Sequence, residues 1–538
     1  MSNRQKSVPC HGHAGINRRG FLGSVGAAVA ASALLDDLLC VAADSLPAAG
    51  LNSASGVVVD AVPVWPAEHE TTGRMDAAFG TDSYNYQWKL YQEILAKARI
   101  EVGVAVRCRA PVTTQAELER LLEDLKQAPP GGLIVTCHTL SDFGHGSNWY
   151  PIQKIVDGRG EIPTVVYTIS PQKGFSPPVR YGKPFTYTCV EPDPTQLEAL
   201  LRLVSAPARL KQARILYADP RPAEKDELEN VQSARTRHEL GPAFVHVPNY
   251  LELYQQYEMR DEIHKLAEHY RTAARKVVEP GDEEVLNAAK HYFVLRDLMR
   301  ERNCQGVVVS GSICTGAPGL PGAGPACVAI SRLCDEGFPG TCEGNQDFSV
   351  ACLVSHLING RPSTMGNAGL CTFSNLLQVQ HCYSPTKLRG PQDEYQAPFQ
   401  LRDFHGRKAC CLEVFWPAGE KVTFVTPLSD PIEYAVGTGH VIGNAEQPPQ
   451  FNCRTSVKLK VDGLDNWDTH TFRCDKISRF TTSYVLGDMR ERYEAFGQLA
   501  GVEISAVVEA RKPVPPGQPV MARRGDKHSA CPCSCAHA

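Results

Sequence analysis

Apolar runs that predict buried strands alternate with segments of helical periodicity in the first third of the chain. The segment 114–127 predicts a helix, with Thr114 as N-cap and Glu117 at the third helical position completing a capping box. A second helix is predicted over 82–98. Because the connections are short, the alternation predicts a parallel sheet. The predicted strands cover residues 56–60, 100–107, 131–137 and 162–169.

The same pattern recurs in a second unit and then gives way to a different one. Strands are predicted at 213–217 and 306–310, and long helices at 251–276 and 282–303. From about residue 361, short runs typical of antiparallel strands are separated by Pro, Gly and Asp residues. These runs cover 409–416, 421–426, 455–461 and 480–486, and an amphipathic helix over 488–500 ends at Gly501.

The pattern as a whole predicts an α/β fold. We expect two doubly wound, Rossmann-like domains followed by a β-rich, barrel-like C-terminal domain. The C-terminal tail is rich in Pro and Gly and is expected to be disordered. The predicted limits are 1–43 for a leader, 56–172 and 173–360 for the two α/β domains, 361–511 for the β-rich domain and 512–538 for the tail.

The N-terminus carries a twin-arginine pattern. Arg18 and Arg19 precede an apolar run of small residues from Gly20 to Leu35, which is too short to span a membrane and suits a signal peptide. Cleavage is expected after Ala43. We therefore expect export to the periplasm or another extracytoplasmic space, with no membrane span after leader removal. The alternative is a chance arginine pair before a buried helix.

Composition narrows the class of partner only slightly. The chain has 538 residues, 21% of them charged, and a formal net charge of −4 without a basic stripe, so a nucleic-acid partner is not expected. Of its 20 cysteines, 18 follow the predicted cleavage point, and none forms a pair with the spacing typical of a structural zinc site. Most are expected to be small buried hydrophobic residues.

Two ligand-type residues stand beside apolar runs in predicted turns. Glu343 lies in the segment 340–347, and His381 lies in the segment 380–385. Carboxylates and imidazoles in such places are typical ligands of divalent cations. Between them a predicted turn at 365–368 carries Asn367 where a third ligand is expected.

Three motifs follow one another along the chain. The first is the strand 132–137 with His138, Thr139 and the later Trp149. The second is the Glu-Gly-Asn turn at Glu343. The third runs from Asn367 through His381 to the closing helix. Together these motifs resemble the L-fucose and L-arabinose isomerase superfamily. The resemblance covers roughly residues 56 to 510.

The resemblance implies a metal-dependent isomerase that interconverts aldoses and ketoses of a free monosaccharide, a pentose or 6-deoxyhexose, through an enediol. Glu343 then matches a catalytic carboxylate and metal ligand, and His381 matches a ligand imidazole. His138, Thr139 and Trp149 match substrate-binding positions. The implied cofactor is a divalent metal, Mn²⁺ or Mg²⁺, and the implied assembly is a homo-oligomer with sites shared between subunits.

The chain also departs from the family's pattern. Asn367 stands where a second catalytic and metal-binding carboxylate is expected, and no histidine lies between His470 and His528, where the arabinose-type enzymes use one. The alternative is therefore a catalytically impaired isomerase fold that serves as an exported carbohydrate-binding protein. Simpler interpretations also stay open: Glu343 as a helix-start residue, and His381 as a core histidine with its hydrogen bonds satisfied.

Overall fold

A computed structural model describes residues 56–65, 74–137, 151–168, 183–191, 193–220, 240–315, 323–429, 432–445, 453–466, 470–473 and 481–510. The first sheet is entirely parallel and has the order β2-β1-β3-β4-β5. Its strands are β1 (Val58–Val64), β2 (Ala105–Cys108), β3 (Gly132–Cys137), β4 (Thr164–Thr168) and β5 (Thr186–Val190).

Helices cover both faces of this sheet, which is why its central strands are mostly apolar. One face packs on α1 (Arg74–Val102) and on α4 (Leu197–Gln212), which follows a short 3₁₀ turn. The other face packs on α2 (Gln115–Gln127) and α3 (Pro151–Gly158). The predicted capping box of α2 is confirmed.

A second parallel sheet follows, with the order β7-β6-β8-β9. Its strands are β6 (Arg214–Ala218), β7 (Ala243–Val247), β8 (Gly306–Val309) and β9 (Gly340–Thr341). The helices of this part are α5 (Tyr250–Gln256), α6 (Asp261–Ala273), α7 (Asp282–Glu301), α8 (Ser312–Thr315), α9 (Cys327–Asp335) and α10 (Gln346–Asn359). The first sheet includes β5, which lies beyond residue 172, the predicted end of the first α/β domain. The predicted domain limits stay predictions.

The C-terminal region is built on a closed antiparallel barrel of six strands. Their order is β14-β18-β10-β11-β16-β15, and β15 pairs with β14 to close the ring. The strands are β10 (Thr364–Cys371), β11 (Leu376–His381), β14 (Lys421–Ser429), β15 (Ile432–Asn444), β16 (Thr455–Val461) and β18 (Thr481–Leu486). The predicted α/β fold with a barrel-like C-terminal region is therefore confirmed. The Rossmann-like character of the two α/β parts stays a prediction.

Smaller elements flank the barrel. The strands β12 (Phe399–Phe404) and β13 (Arg407–Val414) form a hairpin, and β17 (His470–Phe472) pairs with β20 (Val508–Ala510). The strand β19 (Glu503–Ala506) runs parallel to β15. The closing helix α11 (Arg490–Ala500) ends at Gly501, as predicted, in a left-handed conformation that favours glycine.

Two of the predicted elements are wrong in extent. The predicted strand 100–107 begins too early, because α1 continues to Val102 and leaves Ile100 73% exposed. The predicted helix 251–276 is two helices, α5 and α6. The link between them is held by Asp297 of α7, which accepts hydrogen bonds from the Tyr257 hydroxyl (2.5 Å) and the Arg260 guanidinium (2.7 Å).

The predicted turn at 365–368 is also wrong, because these residues belong to β10. Asn367 pairs with Gln380 of β11 on one side and with Thr481 of β18 on the other. Gly366 is required by packing: a Cβ atom there would lie 2.6 Å from Val379 Cγ1. In the sequence, a glycine beside an asparagine favours a turn. Here the missing side chain of Gly366 instead leaves room for tight packing between neighbouring strands of the barrel. Nor is His381 in a turn, since it is the last residue of β11.

Several predictions fall outside the described residues. These are the leader 1–43, the tail 512–538 and the three predicted substrate-binding residues His138, Thr139 and Trp149. Among the helices that the structure describes, none has the length and apolar character needed to cross a membrane.

Candidate functional site

Glu343 lies at the carboxyl end of the second parallel sheet, where sites of α/β proteins form. It follows β9 and precedes Asn345, whose side chain caps α10 by accepting from the Phe348 N–H (3.2 Å). Glu343 therefore lies outside the helix, and the helix-start interpretation does not describe it. Its backbone is left-handed, with φ of 62°, a strained conformation for a glutamate that recurs at functional sites. Its side chain is 33% exposed.

His381 faces the Glu343 carboxylate from the end of β11. The His381 Nε2 atom lies 3.5 Å from Glu343 Oε1, which is longer than an ordinary hydrogen bond. The His381 side chain is only 4% exposed, yet neither ring nitrogen makes a hydrogen bond among the described residues. A buried histidine normally has its ring nitrogens satisfied. The interpretation of His381 as a satisfied core histidine therefore does not fit this geometry.

The Asn367 amide completes a three-residue group. Its oxygen accepts a hydrogen bond from the Thr481 hydroxyl (3.3 Å). The amide also lies close enough to the Glu343 carboxylate to lower the pKa of that group. Because a hydrogen-bond donor stabilises a carboxylate, the amide nitrogen is the atom of Asn367 that faces Glu343. Its neighbour Gln380 has a buried side-chain oxygen with no hydrogen-bond partner in the described part of the chain.

The electrostatic environment keeps Glu343 ionised. Burial raises the pKa of its carboxyl group, but the close contact with His381 and the neighbouring Asn367 amide outweigh burial and lower the pKa below its usual value. The group can therefore act as an anionic ligand or as a base at neutral pH.

A divalent cation fits part of this group. The buried His381 ring nitrogens without hydrogen bonds and the nearby carboxylate oxygen are a suitable pair of ligands for a hard or borderline cation. Asn367 fits less well as a third ligand, because its N–H group is directed at Glu343.

A second group of ligand-type side chains begins at the residue after His381. The Cys382 sulfur lies 3.2 Å from His405 Nε2, and the Cys453 sulfur lies 3.8 Å from the same nitrogen. The three ligand atoms all lie within 4.8 Å of one another. Because β11 pairs with β16, with His381 opposite Thr455, the residues next to these strand ends are brought together.

Further thiols adjoin this group. Cys411 is fully buried, and burial together with the neighbouring thiols of Cys327 and Cys382 raises the pKa of its own thiol. Burial raises the pKa of the Cys382 thiol, but hydrogen bonds with Cys411, Cys453 and His405 outweigh burial and hold its pKa well below the usual value. All 14 cysteines of the described residues are free thiols.

The structure thus brings together three of the residues that the sequence singled out, namely Glu343, Asn367 and His381. The roles assigned to them stay predictions. The sequence did not point to Cys382, His405 or Cys453. Cys382 and Cys453 are separated by 70 residues, and His405 stands in an ordinary His-Gly dipeptide, so no spacing motif marks them. Only the pairing of β11 with β16 could have suggested that the two cysteines lie together.

Comparison with protein-family models and with curated proteins found no match for this chain.

Proposed function

We propose that this protein is a metal-dependent, aldose–ketose isomerase-like protein that acts on a free monosaccharide, a pentose or a 6-deoxyhexose, through an enediol. The observation that carries the proposal is the buried His381 ring, without hydrogen bonds among the described residues and 3.5 Å from the carboxylate of Glu343. This pair lies where the second parallel sheet meets the barrel. We interpret the two parallel sheets as Rossmann-like domains, in line with the family resemblance.

Glu343 is the residue we assign to proton transfer. Its carboxylate accepts the proton bonded to the carbon next to the sugar carbonyl. The electron pair of that C–H bond forms the carbon–carbon double bond of the enediol, while the carbonyl oxygen gains the proton that the neighbouring hydroxyl gives up. Returning the carbon-bound proton to the former carbonyl carbon completes the isomerisation. The lowered pKa of Glu343 keeps the group ready to accept the proton.

His381 and Asn367 support this group in different ways. His381 would hold the cation through the ring nitrogen that faces Glu343, and Mn²⁺ or Mg²⁺ would supply the positive charge that polarises the sugar oxygens. The Asn367 amide holds the carboxylate in place, because it is itself fixed by the Thr481 hydroxyl. We further propose, on the sequence alone, export by the twin-arginine route and a homo-oligomer with shared sites.

One observation favours a second function. The Asn367 amide faces Glu343 where the family pattern has a second carboxylate, and an amide cannot act as a base. Loss of one member of a general acid–base pair typically reduces the rate about 10²–10⁴-fold. An exported carbohydrate-binding protein without isomerase turnover is therefore the alternative proposal.

Calorimetric titration with Mn²⁺ tests the metal-binding part of the proposal. We expect stoichiometric binding by the parent protein and markedly weaker binding by Glu343→Gln and His381→Ala. Matched controls are Glu503→Gln and His264→Ala, which change exposed residues of the same types. Undiminished binding in both site variants, or no binding by the parent, would contradict a shared cation site.

A further inference from the structure

The sulfur and nitrogen atoms of Cys382, His405 and Cys453 converge in a way that hydrogen bonding alone does not explain. Both thiols approach the same His405 nitrogen, at 3.2 Å and 3.8 Å. An imidazole nitrogen either carries one proton or offers one lone pair in the ring plane, so it forms one good hydrogen bond at a time. A cation bound to that lone pair and to both sulfurs accounts for the convergence.

We propose that Cys382, His405 and Cys453 bind one thiophilic divalent cation, Zn²⁺, at a site separate from the Glu343–His381 pair. With Zn–S bonds of about 2.3 Å and a Zn–N bond of about 2.0–2.1 Å, tetrahedral geometry separates sulfur from nitrogen by about 3.6 Å. The two observed separations lie on either side of that value. Small side-chain adjustments would therefore bring all three atoms onto one ion.

The donor set selects the type of metal. Two thiolates and an imidazole suit zinc, whereas Mn²⁺ and Mg²⁺ prefer oxygen ligands. Three protein ligands with a fourth position left for water or another small molecule is the arrangement of catalytic rather than closed structural zinc sites. Cys411 lies beside Cys382 but is not within the group of three. We assign it the role of a thiol that hydrogen-bonds to the Cys382 sulfur.

The backbone holds His405 in an unfavourable conformation at this place. His405 and Gly406 form the two-residue turn between β12 and β13, with φ of 54° and 79°. Such a turn favours Asn-Gly or Gly-Gly, and a left-handed residue with a Cβ costs roughly 1–2 kcal/mol. The strain is therefore maintained by the surrounding structure, as is typical of functional sites.

Buried ion pairs fix the turn against the two cysteines. Arg454, next to Cys453, is fully buried. It forms an ion pair with the carboxylate of Asp403 and donates to the Asp403 backbone oxygen (3.0 Å). Arg402, on the same hairpin, donates to Glu413 (2.6 Å) and to Glu279 (3.0 Å). The ligands are thus positioned by contacts that do not involve the cation.

Zinc content and cobalt spectroscopy of the full chain test this proposal. Under reducing conditions, the parent protein should contain about one zinc ion per chain. With Co²⁺ it should show the intense near-ultraviolet absorption of thiolate–cobalt bonds. Cys382→Ser, Cys453→Ser and His405→Asn should each weaken zinc binding at least tenfold. The control Cys371→Ser, which changes a half-buried cysteine of β10, should keep it.

A second variant keeps the test decisive if a serine variant folds poorly. Cys453→His retains a possible ligand, so it should still bind cobalt, with weaker thiolate absorption. Glu343→Gln and His381→Ala should keep their zinc, because they lie outside the donor set. The proposal is overturned if the folded parent binds no zinc, or if the serine variants keep full affinity. It is also overturned if Cys382 and Cys453 form a disulfide in the reduced preparation, or if Glu343→Gln and His381→Ala lose the zinc.

Discussion

Replacing Asn367 with aspartate puts a second carboxylate against Glu343. In the present structure the Asn367 amide lies beside the Glu343 carboxylate and lowers its pKa, while the amide oxygen accepts a hydrogen bond from Thr481. Aspartate has nearly the same shape but no N–H group, so the variant places two anions beside each other. This single substitution therefore tests two things: whether residue 367 faces Glu343, and whether the site can bind a cation.

The expected size of the effect follows from the separation of the groups. Two unit charges about 4 Å apart repel each other by about 4 kcal/mol at an effective dielectric constant of about 20. Since the Glu343 side chain is 33% exposed, solvent reduces this repulsion, and we expect a loss of about 1–3 kcal/mol in the metal-free variant at neutral pH.

The pH dependence has a definite sign. The repulsion raises the pKa of the pair in the folded state above its unfolded value of about 4. The folded state then binds more protons than the unfolded state. The variant should therefore match the parent protein below about pH 4 and lose stability relative to it as the pH rises toward neutrality.

Urea unfolding of Asn367→Asp and the parent from pH 4 to pH 7.5, with and without Mn²⁺, measures these effects. A divalent cation removes the repulsion, so Mn²⁺ should stabilise the variant more than the parent. At 100 times the dissociation constant the gain is about 2.7 kcal/mol. Asn375→Asp, in the exposed turn between β10 and β11, is the matched control. Identical stability and identical metal response in variant and parent would refute the placement of residue 367 against Glu343.

Three further predictions concern other parts of the molecule. Arg454→Met leaves the Asp403 carboxylate without its buried partner and should destabilise the protein by about 3–5 kcal/mol in urea unfolding. Adding Asp403→Asn should restore part of this loss. A loss below about 1 kcal/mol would show that the pair does not hold the hairpin. Burial and two nearby arginines lower the pKa of His356 to about 3, so stability should fall as the pH is lowered from about 6.5 toward 3, by up to about 1.4 kcal/mol per pH unit. His356→Gln should flatten this dependence, and an unchanged slope would contradict it. Replacing Arg18 and Arg19 with lysine should leave the protein in the cytoplasm with its leader uncleaved, as followed by cell fractionation and immunoblotting, whereas normal export would disprove the leader assignment.

Local signals in the sequence were sufficient for much of the fold. The capping box at Thr114 and Glu117 depends on residues within one helical turn, and α2 begins where it predicts. The strand 455–461 was predicted as one of the short runs typical of antiparallel strands, and β16 has the same limits. Such elements are specified by neighbouring residues and need no information about distant parts of the chain.

Elements whose form depends on distant partners were not predicted. Gly366 and Asn367 favour a turn locally, but β11 and β18 pair with them from both sides. The break between α5 and α6 depends on Asp297, which lies 37 residues beyond Arg260. In both places long-range contacts outweigh local propensity.

The candidate site was likewise predicted only in part from the sequence. Glu343 and His381 were singled out by their residue types and their positions beside apolar runs, and the structure brings them within 3.5 Å of each other. The orientation of the Asn367 amide was not predictable, because it depends on the Thr481 hydroxyl of another strand. Cys382, His405 and Cys453 come from three separate segments. The pairing of β11 with β16 brings the two cysteines together, and the buried contact of Arg454 with Asp403 holds the His405 turn against them.

The most direct test of the proposed function is isomerisation in deuterium oxide. Pentoses and 6-deoxyhexoses would be incubated with the protein and Mn²⁺ and then analysed by nuclear magnetic resonance for ketose and for deuterium at the two reacting carbons. We expect at least one aldose to give its ketose with deuterium incorporated, because an enediol intermediate lets the transferred proton exchange with solvent. In Glu343→Gln the rate should fall by about 10²–10⁴-fold. Absence of both ketose and deuterium incorporation for every sugar, with a metal-loaded protein, would contradict the isomerase proposal and favour the carbohydrate-binding alternative.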